Sequence, residues 1–358
     1  MAGQHISDSR INEILAAIRD IHVLAVGDIR LDFCWHADMR LSKLSHEAPH
    51  FPLPIVDERI TFGAGGNVVA NLCALSPERV AAIGLVGDDW RGSLARHMLD
   101  GLNVDTRALY GAGGFSTFAR CKPILGGLTD ATCEGTRIEF VNASHIDIDA
   151  EDDIVSALMG AAGCFEAIAV SDQLINGCVT RRVREALSAL GASGELVVVG
   201  SGDNVGGYRN VAVAQNEIEA EKALGPHFFQ EHADAPPETA AADQAPGRHR
   251  HSDYLRAADV LARRCSGKAV VTLCEGGSVF SDGARHERNI PWRAGTPKDI
   301  AIAGEAFIAA YACALAVKAS CSEAADFASL CSSVAAGKTD GASVALPDEV
   351  MEAGRAGR

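Results

Sequence analysis

The sequence predicts an α/β protein with a doubly wound, mostly parallel central sheet, helices on both faces of that sheet, and a small β-structure serving as a lid. Three observations carry this expectation. Short apolar runs closed by Gly or Asp alternate with stretches of helical period along the chain. The intervals between the runs are long enough for βαβ crossovers, which join parallel strands. Two polar, aromatic stretches near residues 30–60 and 112–142 interrupt the alternation and read as extended structure over the C-terminal edge of the sheet.

The elements follow in order. A short amphipathic helix opens the chain, and residues 22–28 (HVLAVGD) then form a compact apolar run ending in Gly-Asp. Such a run reads as a buried parallel strand whose C-terminal end favours ligand groups. Residues 63–76 (GAGGNVVANLCALS) take helical spacing after a glycine cluster, 79–89 form the next strand and loop, and 90–104 a helix closed by Gly101. Beyond the second extended stretch come a helix near 151–162, a strand at 167–172, a helix near 179–190 and a strand at 195–201. Residues 226–252 are rich in Ala, Pro, Asp and His, lack periodicity, and read as a flexible surface insertion. Their His227, His232, His249 and His251 suit either a solvated loop or a metal. A helix over 253–264, a strand over 269–283, and helices near 303–318 and 322–336 complete the pattern before the tail. No internal repeat is visible, and the chain reads as a single domain over 1–358.

Composition excludes several classes. With 47% apolar and 22% charged residues, the 358-residue chain has the material for a sizeable core. A formal charge of −15 argues against nucleic acid and anionic membrane as partners, because both require clustered Lys and Arg. The 11 cysteines contain no C-x-x-C pair. The N-terminus has no apolar signal core, and no stretch approaches 18 apolar residues. A reduced, cytoplasmic protein is the simplest expectation.

Four stretches, in this order, go beyond a generic α/β fold. They are VGDIRLD (26–32), GAGGNVVANL (63–72), NEIE (216–219) with VTLCEGG (271–277), and DIAIAGEAFIAAYACAL (299–315). Together they resemble the ribokinase-like (PfkB) carbohydrate kinase family over roughly residues 20–345, the 226–252 insertion excepted. The run LSHEAPHFPLPIVDERITFGAGGNVVANLCAL is similar to the heptose-phosphate kinase branch, in which a Ser-x-Glu-Ala-Pro run precedes the glycine cluster. The resemblance implies a ribokinase-like fold, ATP and Mg²⁺ as cofactors, and a sugar or sugar phosphate as the small-molecule partner. It leaves a homodimer open.

The same resemblance gives roles to residues that elementary chemistry also singles out. Asp28 and Asp32 lie at a strand end and just beyond it, where carboxylates can each accept two hydroxyls of a polyol. The family places such residues against the sugar, although Asp32 would serve equally as a turn or cap. Gly63, Gly65, Gly66 and Asn67 open a helix, and the family assigns sugar contacts to this loop and its Asn; the plain alternative is a tight strand-to-helix turn. Lys122, Arg137 and Glu139 reach a substrate phosphate or hydroxyl if the second insertion covers the sheet, and carry no meaning on a solvated ribbon. Asp172 stands in SDQLING, where the family has Ser-Asp-Tyr-Gly-Lys-Gly, so Asn176 replaces the Lys. Asn216 and Glu219 match an Asn-x-x-Glu pattern linked to Mg²⁺ and phosphate, and read otherwise as a helix start. Thr272, Cys274, Glu275 and Gly277 match a Thr-x-Gly-x-x-Gly nucleotide loop, with Cys274 in place of its first Gly. Lys338 resembles the closing turn around the adenine, or is a C-cap cation.

Residues 299–307 (DIAIAGEAF) correspond to the family's Asp-Thr-x-Gly-Ala-Gly-Asp-Ser/Thr-Phe. There the backbone opens a helix as an anion hole, and the second Asp takes the proton of the sugar hydroxyl. This chain keeps Asp299, Ala303, Gly304 and Phe307, but has Ile302 for the first Gly and Glu305 for the catalytic Asp. Two expectations follow. One is a kinase in which Asp28, Asp32 and Asn67 hold the sugar, Asn216 and Glu219 organise Mg-ATP, and Glu305 is the base. The other is a catalytically impaired relative that binds nucleotide or sugar as a sensor or partner subunit, motivated by Ile302, Cys274 and the missing Lys.

Overall fold

The computed structural model describes residues 5–47, 49–129, 131–230, 249–292, 302–338 and 344–357. The chain begins α1 (Asp8–Ile18), β1 (His22–Gly27), β2 (Ile29–Asp38), β3 (Ile55–Ala64), α2 (Gly65–Ala74), β4 (Arg79–Gly87), α3 (Trp90–Gly101) and β5 (Asp105–Ala112). It continues β6 (Ala119–Gly126), β7 (Cys133–Glu134), β8 (Ile138–Phe140), α4 (Ile148–Gly160), β9 (Ala167–Asp172), α5 (Arg181–Ala192), β10 (Val197–Ser201) and β11 (Ala212–Asn216). It closes with α6 (Glu217–Leu224), α7 (Pro226–Gln230), α8 (His251–Arg264), β12 (Lys268–Thr272), β13 (Ser278–Ser281), β14 (His286–Asn289), α9 (Ala303–Ala316), α10 (Cys321–Ala336) and α11 (Pro347–Ala356).

The central sheet has the order β14-β13-β12-β11-β10-β9-β1-β4-β5. Its strands from β5 to β12 pair in parallel, and β13 and β14 add an antiparallel edge. Alternation along each strand divides the core into two layers, as a doubly covered sheet requires. Val23 and Ala25 of β1 join Ala167, Ala169, Val198 and Val270 on one face, beneath α1, α2, α9 and α10. Leu24 and Val26 join Ile168, Val170, Val199 and Val271 on the other, beneath α4, α5 and α8.

The two interrupting stretches pair with each other as the sequence implies. They form a second sheet, β3-β2-β6-β7, with β8 on β6. Ile29, Leu31 and Phe33 are buried on one face of β2 while Arg30, Asp32, Cys34 and His36 alternate onto the other. Phe33 meets the ring of Trp90 at 5.7 Å, and Arg91 lies 4.2 Å over Phe140, so α3 anchors this lid to the body.

Several expectations need correction. The run 269–283 is a hairpin, because Cys274 (φ 44°) and Gly277 (φ 85°) reverse the chain between β12 and β13. The tail carries α11, with Pro347 in its first turn. Strands β5 and β11, too short or too polar to stand out, complete the sheet. Helix α9 is buried on all sides from Ala306 to Ala316. Of the 226–252 insertion, 226–230 form α7, His249 stacks on Phe229 at 4.6 Å, and His251 starts α8; the remainder, with His232, lies outside the described residues. Among the described residues no metal-binding group of His, Cys, Asp or Glu occurs, and no helix is long and apolar enough to cross a membrane.

Small residues let α9 settle onto the sheet. A Cβ at Gly200 of β10 would overlap Ile308 Cδ1 of α9. Gly200→Ala is expected to cost about 1–3 kcal/mol by overpacking, read from urea unfolding midpoints. Adding Ile308→Val, which removes the obstructing methyl, should recover part of that loss.

Candidate active site at the edge of the sheet

Strand order reverses at β1, which has β4 on one side and β9 on the other, and crevices in such sheets form at this switch point beyond the C-terminal strand ends. Asp28 follows β1 and Asp172 ends β9, with Gly27 paired to Ser171. Along the same edge, Asn216 ends β11 directly beside Thr272 at the end of β12.

Asp28 is 1% exposed. Its Oδ1 accepts the Cys178 N–H at 2.6 Å, and its carbonyl accepts the Gly65 N–H at 3.0 Å. Burial pushes this carboxyl up to about 7, against the pull of the Cys178 amide and with help from Asp172. A side chain at Gly177 would occupy the position of the Asp28 carboxylate. Asn176, where the family's Lys is missing, sits at φ 56° and donates from Nδ2 to Asn142 O at 2.8 Å.

The glycine cluster works through clearance. None of Gly63, Gly65 and Gly66 has a positive φ, yet a Cβ would meet Arg30 and Asp32 at Gly63, Asp28 O at Gly65 and the Phe62 ring at Gly66. The strained residue is Ala64 (φ 48°, ψ −129°), at the N-cap of α2. Asn67 is buried in the first turn, where Asn71 Nδ2 donates to its carbonyl at 2.9 Å.

Asp172 is a buried hub. Its Oδ2 accepts from Tyr208 at 2.9 Å and Ser201 at 3.1 Å and faces Arg184 at 3.3 Å, while Asn204 donates to Oδ1 at 3.3 Å. Four partners leave this carboxylate holding the β9 and β10 ends together. Asn216 and Glu219 form a reciprocal capping box on α6, each side chain bonded to the other's backbone N–H at 2.9 Å. Burial raises the Glu219 carboxyl, and Gln173 Nε2 approaches it at 3.5 Å. Thr272 Oγ1 donates to Gln215 O at 3.4 Å. Cys274 occupies the left-handed region at φ 44°, where a glycine would be unstrained.

On the lid, Glu139 pairs with Arg120 at 2.8 Å and Arg137 with Glu134, so both are committed to neighbouring strands. Lys122 pairs in register with Cys34 of β2, placing it on the face that carries Arg30 and Asp32. Asp32 is itself clamped by Arg30, a residue no motif singled out; the alternation of IRLDF is the signal that puts both side chains on one face. Lys338 donates to Val344 O at 2.7 Å and to Glu349 at 2.6 Å, tying α10 to α11. Asp299 lies outside the described residues.

Helix α9 begins at Ala303. Ile302 precedes it with φ −88° and ψ −20°, an ordinary helical conformation, and supplies no side-chain cap. Gly304 is exposed, with nothing near the position of an added Cβ, so the first turn opens outwards. Ser332 Oγ donates to Ala303 O at 2.8 Å and holds that turn from behind. Glu305 follows, half-buried. Desolvation pushes its carboxyl up to about 7; Asp32 and Glu219 push the same way, and Arg30 opposes them. Charged groups on β2 and α6 thus bear on the Glu305 carboxyl of α9.

No family model matches the chain. Among curated proteins, it is 28% identical over 347 residues to the bifunctional protein HldE of Geotalea uraniireducens, an alignment covering 95% of this chain and 64% of the relative. The HldE of Geobacter metallireducens is 29% identical over 348 residues, with coverage of 95% and 64%. The chain thus spans less than two thirds of the length of these relatives. Among solved structures, phosphofructokinase-2 from Escherichia coli in complex with fructose-6-phosphate superposes with a TM-score of 0.69 at 16% identity, covering 94% of this chain and 99% of that one. Ribokinase from Arabidopsis thaliana, complexed with ribose and ATP, gives 0.66 at 17%, covering 94% and 99%. The fold is ribokinase-like, as the motifs implied.

Two stability measurements probe the site without a ligand. The Glu305 carboxyl is raised above its ordinary value of 4.5, so the fold favours its protonated form and that contribution is lost as pH rises through about 7. Glu305→Gln escapes this loss. Its stability relative to wild type, read from urea unfolding, should climb between pH 5 and pH 8, by at most about 3 kcal/mol and less for a residue that keeps a solvent-facing edge. A difference independent of pH would contradict the buried carboxyl. Cys274→Gly relieves the left-handed strain and should stabilise by up to about 1 kcal/mol in thermal unfolding.

Proposed function

We propose that this chain is a ribokinase-like (PfkB) carbohydrate kinase of the heptose-phosphate branch and that it transfers the γ-phosphoryl group of ATP to a hydroxyl of a sugar phosphate, with a heptose phosphate the preferred class. The observation that carries this reading is a carboxylate pushed up to about 7 in the first turn of a helix whose opening turn has no side-chain cap. A general base works best when its pKa lies near the operating pH, and uncapped helical amides favour a developing negative charge.

In the proposed reaction the sugar lies over Asp28, Asp32, Gly65, Gly66 and Asn67, with the lid above it. Glu305 accepts the proton of the attacking hydroxyl. That oxygen forms a bond to the γ-phosphorus in line with the breaking bond to the ADP oxygen, and the charge on the phosphoryl oxygens faces the amides around Ala303 and Gly304. The nucleotide lies towards Asn216, Thr272, Cys274 and Gly277. Asp172 and Lys338 enter this reading as supports, given the partners that occupy them. Glu219 fits a hydrated Mg²⁺, which takes few protein ligands, and the ion when bound supplies charge neutralisation along the phosphates. The eleven cysteines are all free, which suits a reducing compartment such as the cytoplasm. The reading of an impaired binding protein gains nothing from Ile302, whose backbone is relaxed.

A coupled ADP-release assay over a panel of heptose, hexose and pentose phosphates tests the proposal. Wild type should turn over at least one of them, with kcat/KM rising through pH 7 as Glu305 loses its proton. Glu305→Gln should lower kcat by about 10²–10⁴-fold, whereas Glu305→Asp, which keeps a carboxylate but places it about 1 Å short, should lose less, up to about 10²-fold. Equal activity in Glu305→Gln would remove the carboxylate from the mechanism.

A further inference from the structure

Lys122 has no part in the chemistry described so far, yet its place on the lid is specific. Arg30, Arg59 and Arg120, the other long cations of β2, β3 and β6, are each matched to an acid: Asp32, Asp57 and Glu139. Lys122 is half-buried and makes no ion pair or hydrogen bond among the described residues. An ammonium partly withdrawn from water without a counter-charge is costly, so such a position suits an anion that arrives with a ligand. Strand register shows where that anion would sit. Cys34 of β2 has Arg59 of β3 on one side and Lys122 of β6 on the other, which puts all three side chains on one face of the sheet. Strands lie about 4.8 Å apart, so the two cations arise about 10 Å apart across the thiol, a gap that one phosphate fills when both long side chains lean in. Cys34 gives the gap a shallow floor. Burial pushes its thiol up, so it stays neutral and does not repel an anion, while Lys122 and Arg59 pull the other way. His36, the next residue on this face, brings Nε2 to 3.6 Å from Cys34 Sγ. The Arg59–Asp57 pair is 3.4 Å long with side chains 46% and 53% exposed, weak enough to yield to a dianion. The same face carries Asp32, two residues and about 7 Å along β2 from Cys34. Asp32 Oδ1 stands 2.6 Å from where a Cβ on Gly63 would lie, which joins this face to the glycine run that opens α2. The opposite face, with Ile29, Leu31 and Phe33, is buried in the core.

We propose that the trough over Cys34 seats a phosphate group carried by the acceptor sugar, with Lys122 and Arg59 as its cationic walls and His36 further along β2. The inference rests on the sugar of the proposed kinase lying over Asp32, and it makes Lys122 the residue that separates sugar phosphates from free sugars. A hydroxyl on Asp32 and a phosphate over Cys34 are one side-chain step apart on a strand face, a span that a phosphorylated sugar bridges. The phosphate seated here is an anchor. No bond to it forms or breaks, and the transferred group comes from the nucleotide.

The test reads the trough itself, without turnover. Cys34 is alkylated with iodoacetamide and followed by peptide mass spectrometry. Two exposed thiols serve as references: Cys164, and Cys133, which pairs with Leu125 on the opposite face of the lid. The probes are the heptose, hexose and pentose phosphates, each set against its unphosphorylated sugar. At least one sugar phosphate should slow alkylation of Cys34 several-fold and leave both references unchanged, and its free sugar should protect far less. In Lys122→Met the concentration giving half protection should rise by about 10–100-fold, the loss expected for one charge-assisted contact. Lys122→Arg should keep most of the affinity, and Arg181→Met, at an exposed cation of α5, should change nothing. If Lys122→Met fails to fold, Arg59→Met should shift the midpoint in the same direction. Equal protection by the free sugar, midpoints unchanged in the folded variants, or no protection by any probe would each overturn the proposal. The coupled assay separates this from the kinase reading. Turnover of a sugar phosphate with KM unchanged in Lys122→Met removes the subsite and leaves the kinase. Lys122-dependent protection without turnover of any sugar phosphate does the reverse.

Discussion

The enclosure of α9 is the constraint on which the site depends. From Ala306 onward every residue of this helix is buried, and most are Ala, so its neighbours α2, α10, β9 and β10 approach closely from all sides. A helix held on one face can rock; a helix jammed on every face cannot, because close-packed interiors resist displacement. Its first turn therefore projects from a fixed point into the crevice. Glu305 is half-buried there, and desolvation is the largest influence on its carboxyl. The same enclosure thus sets where the carboxylate lies and how tightly it holds its proton, and stability is given up to do so.

Around that point the edge of the sheet manages a dense set of acids. Asp172 bears on Asp28, and Asp32 and Glu219 bear on Glu305, in a chain with a formal charge of −15. Burying a charge is costly unless it is paired or hydrogen-bonded. The chain answers each case differently. Asp172 is matched by Arg184 and three neutral donors, Asp28 by a backbone amide, Glu219 by its own capping box and Asp32 by the Arg30 fork. Glu305 alone of these has no partner beyond its own backbone N–H among the described residues, which suits the proton-exchanging role proposed for it.

Much of this was legible in the sequence, and the failures have physical reasons. Apolar runs such as 167–172 announce buried parallel strands at their true positions, because a strand covered on both faces has no polar phase to confuse it. β5 and β11 lack that contrast, the first carrying polar residues at the open edge of the sheet and the second being five residues long. The 269–283 run reads as one strand because its reversal is made by a cysteine at positive φ, a residue that ordinarily signals no turn. At the site, residue type pointed to the carboxylates but said nothing of their partners. Nothing around Asp172 in the sequence points to Tyr208, 36 positions later, which donates to it. The glycines of 63–66 were recognisable as special, but the reason is contact with Arg30, Asp28 and Phe62, which only tertiary structure supplies.

Under the proposed chemistry the two departures in the 302–305 loop act together. A glycine ahead of α9 would permit any backbone, whereas Ile302 restricts the entry to conformations with negative φ, and it sits in one of them without strain. The entry to the helix is consequently stiffer, and the carboxylate can no longer be brought forward by flexing the backbone. Glutamate makes up for this on its own side chain, since its extra methylene carries the oxygens about 1 Å or more beyond where an aspartate would end. A stiff entry with a longer base and a flexible entry with a shorter one are two ways of putting a carboxylate at the same depth in the crevice. On that argument, and within the proposed chemistry, Ile302 and Glu305 are a matched pair rather than two independent losses.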